Sequence, residues 1–210
     1  MTNLANRIGE EKISFKILKT ISKGCAHEYS IEGYSPWCFL LTDNEWQIMQ
    51  FVSDLETYFT EGYGREINEK KSCPLVNHLI HMLENFVHNN SFPKTYLYFT
   101  HAGALFPFYS SLGLFAHFDR AFENYWQNNC NTFGNEWRSN LIMPFSSNFA
   151  LVLYKCSQSH DISSYKVLTL LQETPVTVKG CSSPFCPLQQ FLNTYSLKES
   201  NCDLNQICRF

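Results

Sequence analysis

Apolar positions recur with helical spacing twice in the first ninety residues. Thr42-Asp-Asn-Glu45 has the form of a capping box, and Ile48, Phe51, Val52, Leu55, Tyr58 and Phe59 follow until Gly62-Tyr-Gly64. The spacing predicts a helix between those signals. A second helix is expected from Ser72-Cys-Pro74, with Leu75, Val76, Leu79, Ile80, Leu83, Phe86 and Val87 along one side and the polar His88-Asn-Asn-Ser91 at its end. After Pro93 the period changes. Thr95-Tyr-Leu-Tyr-Phe-Thr100 is a short aromatic and β-branched run that reads as a buried strand, and Ala104 to Leu112 resumes helical spacing.

Residues 113–134 are polar and irregular. Leu141-Ile-Met143 and Phe149 to Tyr154 then flank Pro144-Phe-Ser-Ser-Asn148 and are expected to form a hairpin. Tyr165 to Leu171 reads as a further strand, and Pro187 with Leu188, Phe191, Leu192 and Tyr195 as a closing helix. Helices first and mixed elements later give an α/β fold class without internal repeats. A helical portion over residues 1–90 is expected against an α/β portion over 91–210.

Composition narrows the classes of function. The chain has 210 residues, 44% of them hydrophobic and 17% charged, which is the make-up of a folded globule and not of a disordered chain. Its net charge is −3 and its lysines and arginines form no run, so no nucleic-acid surface is expected. No apolar window reaches the roughly 18 residues of a membrane span. Nine cysteines without paired Cys-x-x-Cys knuckles suit an oxidising compartment better than a zinc site. Asn89-Asn90-Ser91 is a glycosylation sequon pointing the same way. The first eleven residues hold no apolar stretch and cleavage site of a signal peptide. A cysteine-rich chain with an odd cysteine count and no export signal is expected to lack its front end.

His101 is the residue with the most chemical promise. It stands between the strand reading and the helix reading, where the free N–H groups of a helix start meet anions beyond a strand end. A turn histidine bonded to backbone fits that position equally well. Other constellations are weaker. His160-Asp161 lies in a polar loop, His78 and His81 share a helix face without a nearby carboxylate at ligand spacing, and Arg138 suits a phosphate contact or a surface ion pair.

Thr100-His-Ala-Gly-Ala-Leu-Phe-Pro-Phe-Tyr-Ser-Ser-Leu-Gly-Leu-Phe115 resembles the second catalytic motif of the histidine acid phosphatases, within them most closely that of the multiple inositol polyphosphate phosphatases. Further blocks agree in order along the chain. Cys25 with Ser35-Pro-Trp-Cys38, Glu61-Gly-Tyr-Gly64 and Ser72-Cys73 are similar to that family's helical insert. Trp137 to Asn148, Leu151 to Cys156, and Cys181 with Cys186 are similar to later family blocks.

The resemblance implies an incomplete histidine-phosphatase (phosphoglycerate mutase-like) sheet with a helical insert domain. It implies a metal-free and cofactor-free phosphomonoesterase reaction on inositol polyphosphates. In that family a histidine of an N-terminal Arg-His-Gly-x-Arg-x-Pro motif attacks phosphorus, and the second histidine, here His101, holds phosphoryl oxygens. An acidic residue just after it protonates the leaving alcohol.

Two departures stand out. None of the five arginines, Arg7, Arg65, Arg120, Arg138 and Arg209, precedes a histidine, so the nucleophile motif is not in this sequence. The proton-donor position holds Gly103, with Ala102 at its alternative, leaving Asp119 or Glu123 as substitutes to weigh. The chain alone is therefore expected to be inactive. Two readings follow: a fragment that would act on inositol polyphosphates when completed by an N-terminal half, or a non-catalytic relative. The resemblance also implies Cys25–Cys38 and Cys181–Cys186 disulfides, an orphaned Cys202 or Cys208 because the family's C-terminal cysteine bonds chain that would precede Met1, and a secreted, lumenal or extracellular membrane-associated location.

Overall fold

The structure, a computed structural model, describes residues 2–88, 93–116, 137–158, 161–196 and 202–209. Asn89, Asp119, Glu123, Cys130 and His160 lie outside the described residues. The chain divides into two compact units, Met1–Glu56 and Thr57–Phe210.

The first unit is helical. Helix α1 (Thr2–Ile8) and helix α2 (Phe15–Glu32) were not legible from the apolar pattern, because Phe15, Ile17, Tyr29 and Ile31 of α2 are exposed and only Leu18 and Ile21 are buried. Capping defines α2 instead. The Ser14 hydroxyl accepts from the Ile17 N–H, and Gly33, at φ +70°, donates its N–H to the Tyr29 carbonyl at 2.9 Å. A 3₁₀ turn (Pro36–Leu40) follows, tied to α2 by the Cys25–Cys38 disulfide. Leu4, Ala5, Ile13, Leu18, Ile21, Leu41 and Met49 close the core.

Helix α3 (Asp43–Thr60) starts at the capping box read from the sequence. The Thr42 N–H reaches Glu45 Oε2 at 2.8 Å, and the Glu45 N–H reaches Thr42 Oγ1 at 3.4 Å. Arg7 joins this cap through Nη2, 2.6 Å from Glu45 Oε2 and 2.7 Å from the Leu40 carbonyl.

The second unit mixes helix and sheet. After α4 (Glu66–Lys70), α5 (Cys73–His88) begins one residue before Pro74, as the pattern predicts, and α6 (Ala102–Ser111) starts two residues earlier than its apolar spacing. Strand β1 (Phe149–Lys155) pairs antiparallel with β2 (Tyr165–Leu171) in a register running from Phe149↔Leu171 to Lys155↔Tyr165. On its other side β2 meets β3 (Thr174–Pro175) and β4 (Phe185–Pro187), and it is the strand with the most buried residues, including Val167 and Thr169. Helix α8 (Leu188–Tyr195) follows with Pro187 at its cap and buries Leu188, Phe191, Leu192 and Tyr195. The Tyr195 hydroxyl lies 2.8 Å from the Leu112 carbonyl and 2.9 Å from that of Lys179, and burial pushes its pKa up.

Two expected elements differ. Ser139–Ile142 is a short helix, α7, so the partner of β1 is not Leu141 to Met143 but β2, whose seven residues match β1 in length. Thr95 to Thr100, expected as a buried strand, belongs to no ladder and is exposed throughout. Its backbone has no neighbouring strand among the described residues, so the β propensity of its side chains has nothing to pair with.

The disulfides follow the resemblance at Cys25–Cys38 and Cys181–Cys186. Cys202 bonds Cys73, at the start of α5, and of the two C-terminal cysteines Cys208 is the one left unpaired, as expected of one of them. Cys156 and Cys208 carry free thiols. No helix among the described residues is long and apolar enough to cross a membrane.

Candidate active site

His101 caps α6. Its backbone is extended (φ −131°, ψ 171°), its carbonyl accepts from the N–H groups of Ala104 (3.0 Å) and Leu105 (3.2 Å), and its side chain is exposed. No hydrogen bond is seen from its ring to a described residue, so the turn-histidine reading with a ring bonded to backbone is not what the geometry gives. The first N–H groups of α6 face the same end as the ring, which is where a helix favours an anion.

Gly103 lies in the first turn of α6, two residues after His101. A Cβ placed on it would meet His101 Cε1 at 3.1 Å and Nδ1 at 3.2 Å, with Glu61 Oε1 next at 3.7 Å. The space that a side chain at 103 would use is therefore closely bordered by the imidazole and by a carboxylate. Pro107, inside α6, has no N–H to offer the Gly103 carbonyl four residues earlier.

Glu61 is the residue that sequence reasoning placed only in a helix-stop motif. Its position is fixed by its neighbours. The Gly62 N–H bonds the carbonyls of Thr57 (3.0 Å) and Tyr58 (3.1 Å), and the buried Asn68 side chain donates to the carbonyls of Phe59 (3.2 Å) and Gly62 (2.8 Å). Tyr63 reaches the carbonyls of Leu114 (2.7 Å) and Ser110 (3.2 Å) at the far end of α6. Gly62 is required here, since a Cβ would meet the Trp137 ring at 2.6 Å. Glu61 Oε2 in turn pairs with Lys71 Nζ at 2.8 Å, with both side chains about a third exposed. A carboxylate, itself paired with Lys71, thus borders position 103 beside His101, and no gap in the hydropathy pattern could have shown it, because Glu61 is brought there by a turn.

Arg138 caps α7, next to Trp137, whose ring packs against Tyr58, Tyr63 and Phe106. Its Nε is buried without a hydrogen-bond partner among the described residues. The surface ion pair weighed for it is not seen there. His78 Nε2 lies 2.9 Å from the Tyr98 hydroxyl, and His81 Nδ1 lies 3.6 Å from Glu84 Oε2, so the two histidines of α5 have separate partners. No cluster of three metal-ligating side chains occurs among the described residues. A cavity of about 770 Å³ lies at the other end of α6, where Ser111, Cys73, Lys179, Tyr195 and Asp203 line it. It contains none of the residues around His101, and its position beside the Cys73–Cys202 disulfide ties it to the C-terminal segment instead.

The arrangement can hold an anion between an imidazole and a helix start. It offers one carboxylate beside that anion. Against known proteins, residues 1–170 match the family model described as histidine phosphatase superfamily (branch 2). Multiple inositol polyphosphate phosphatase 1 of Dictyostelium discoideum is 25% identical over 98% of this chain and 40% of its own length. The Gallus gallus protein of the same name is 26% identical over 88% of this chain and 42% of its own length. Thiamine-repressible acid phosphatase pho4 of Schizosaccharomyces pombe is 28% identical over 81% and 37%. The chain spans about two fifths of the length of these relatives.

Proposed function

The chain belongs to the histidine phosphatase superfamily, branch 2, and on that basis we propose that it is the phosphate-holding part of a phosphomonoesterase directed at inositol polyphosphates, with no turnover of its own. The observation that carries this reading is His101 at the exposed start of α6, in the motif position that the family resemblance gives to the second histidine. When protonated, its ring donates to phosphoryl oxygens, and the unpaired N–H groups of the first turn of α6 add a second set of donors. The attacking histidine would come from an Arg-His-Gly-x-Arg-x-Pro motif, which this sequence does not contain. Protonation of the leaving alcohol falls to Glu61, because position 103 has no side chain and Glu61 Oε1 borders the space it leaves.

Three disulfides support a secreted or lumenal location. Gly103 favours a second reading, a non-catalytic relative that binds the same phosphates, since a scaffold without its acid keeps its anion site.

The test uses the 210-residue chain as it is. Inositol hexakisphosphate, titrated at acid pH, is expected to shift the His101 ring resonances and the amides of Ala102 and Gly103 without releasing phosphate, and His101→Ala is expected to abolish the shifts. Phosphate release that depends on His101 would overturn the proposed inactivity. Binding that leaves this end of α6 unmoved would overturn the site.

A further inference from the structure

The C-terminal segment carries a disulfide and a free thiol close together in sequence. Cys202 is bonded to Cys73, and Cys208, a little farther along the chain, is unpaired. Cys73, in the first turn of α5, is 4% exposed, whereas Cys202 is half-buried and Cys208 is exposed. The more accessible half of the bond is therefore Cys202. Between Cys202 and Cys208 stands α9 (Leu204–Ile207), a single turn. The Asp203 carboxylate accepts from the Asn205 N–H at 2.8 Å, and the N–H groups of Ile207 and Cys208 reach the carbonyls of Asp203 and Leu204, each at 2.9 Å. Leu204, Asn205 and Gln206 are exposed, so these few bonds are most of what holds the turn. While it is wound, a rise of about 1.5 Å per residue sets the Cα atoms of Cys202 and Cys208 roughly 9 Å apart, beyond the about 4.4–6.8 Å that a disulfide spans. Unwound, so short a segment closes readily: a separation of 5 residues is bridged at Cys181–Cys186.

We propose that Cys208 exchanges with this disulfide, moving the bond from Cys73–Cys202 to Cys202–Cys208, with α9 as the latch. The Cys208 thiolate attacks Cys202 Sγ, the Cys202–Cys208 bond forms as the Cys73–Cys202 bond breaks, and the electron pair leaves on Cys73, which takes up the proton that Cys208 gave up. One disulfide and one thiol stand on each side, so no oxidant or reductant is consumed. The protonated Cys73 suits its buried place, because a neutral cysteine behaves as a small apolar side chain. The consequence is mechanical. The native bond spans 129 residues and ties the C-terminal segment to α5, and Asp203, Gln206 and Ile207 of that segment form one wall of the cavity of about 770 Å³ that Cys73 also lines. Moving the bond replaces that tie by a short loop within the segment and frees the wall. Cys156, the other free thiol among the described residues, follows β1 and stands outside this segment.

The test uses the full 210-residue chain with Cys73–Cys202 intact, held at about pH 8.5 so that thiolate forms, without oxidant or reductant. Samples are quenched by alkylation and mapped by mass spectrometry after cleavage at Leu204, which separates Cys202 from Cys208. Over minutes to hours, a Cys202–Cys208 linkage and alkylated Cys73 are expected to rise together while alkylated Cys208 falls, at a rate independent of protein concentration. Hydrogen exchange at Gln206 and Ile207 is expected to quicken in step with the product. Cys208→Ser, a change at an exposed position that leaves the fold intact, is expected to keep the Cys73–Cys202 bond, and Cys156→Ser to leave the exchange as it is. Asp203→Ala removes the cap and is expected to speed the exchange about 5-fold. Alkylated Cys73 appearing equally in Cys208→Ser, a Cys73–Cys208 linkage as the main product, a rate that scales with protein concentration, or an unmoved bond after about a day would overturn the exchange. An Asp203→Ala rate equal to that of the parent would overturn the role of α9 as its latch.

Discussion

The imidazole of His101 lies close against the place in which a side chain at Gly103 would begin, with its Cε1 3.1 Å from that point. The absence of a side chain at Gly103 and the place of the His101 ring are therefore coupled. A Cβ contact at this distance is tight, and the ring has room to give because it is exposed.

Gly103→Ala is expected to turn the His101 ring by a few tenths of an ångström while changing stability little. Alanine in place of glycine in a helix contributes about 0.5–1 kcal/mol, and the tight contact offsets part of it. The measurement is a pair of spectra and a pair of melts: the His101 ring resonances shift and the melting temperature holds within a few degrees. Unmoved ring resonances would show that the imidazole is not held against position 103.

A second prediction concerns the cap of α3. Hydrogen bonds from Arg7 and from the Thr42 backbone lower the Glu45 carboxyl to about 2. A depressed carboxyl stabilises the fold above its unfolded value of about 4.3 and loses that contribution as pH falls through the folded value. For a partly exposed pair the contribution is about 0.5–1 kcal/mol after solvent screening. Glu45→Gln is thus expected to unfold at lower urea than the parent at pH 7, with the gap closing as pH falls from about 4 toward 2. A gap that stays constant over this window would assign the effect to the cap geometry and not to charge.

How much of this was legible in the sequence depends on the range of the interactions. The α3 cap is a four-residue signal and appeared at the expected residues. The start of α6 at His101 was equally local. Helix α2 escaped because its apolar residues largely face solvent, so its ends, not its stripe, define it. β1 was assigned the wrong partner because a turn at Pro144 suggests adjacency, whereas seven matched residues on β2 outweigh it. The buried strand expected at 95–100 does not form among the described residues, because pairing is a property of neighbours and none is among them. Glu61 beside Gly103 depends on contacts between α4, the turn after α3 and α6, which no single stretch of sequence contains.

The third prediction is that Cys73→Ser with Cys202→Ser destabilises the second unit without disturbing His101. The bond spans 129 residues and joins α5 to the segment that leads into α9 (Leu204–Ile207), which has few other anchors. Loss of a bond closing so long a loop costs about 2–5 kcal/mol where the unfolded chain is otherwise free. Urea unfolding should show it, together with faster hydrogen exchange in 202–209 and unchanged amides at Ala102 and Gly103. Full retention of stability would mean that the C-terminal segment is held by packing alone.

The last prediction asks where the proton for the leaving group comes from, in a chimera that joins this chain to a relative's Arg-His-Gly-x-Arg-x-Pro portion. Phosphoryl transfer needs positioning and positive charge, while expulsion of an inositol oxygen also needs a proton. A nitrophenolate leaves without one, so the two substrates separate the two demands. Glu61→Gln keeps the shape of the side chain but removes the acid, and it is expected to slow inositol hexakisphosphate hydrolysis about 10²-fold or more and nitrophenyl phosphate hydrolysis much less. Lys71→Met removes the partner at 2.8 Å and keeps the carboxylate. If Glu61 acts only as a strut for the turn at Gly62, both variants depress both substrates alike. If it is the acid, Lys71→Met preserves the preference for inositol phosphates that Glu61→Gln destroys, and adding Gly103→Glu to Glu61→Gln recovers part of the lost rate despite the displaced His101 ring. Equal losses on the two substrates in Glu61→Gln, with Gly103→Glu still selective for the inositol phosphate, would assign the proton to position 103 in the ancestral arrangement and leave Glu61 without a role in proton transfer.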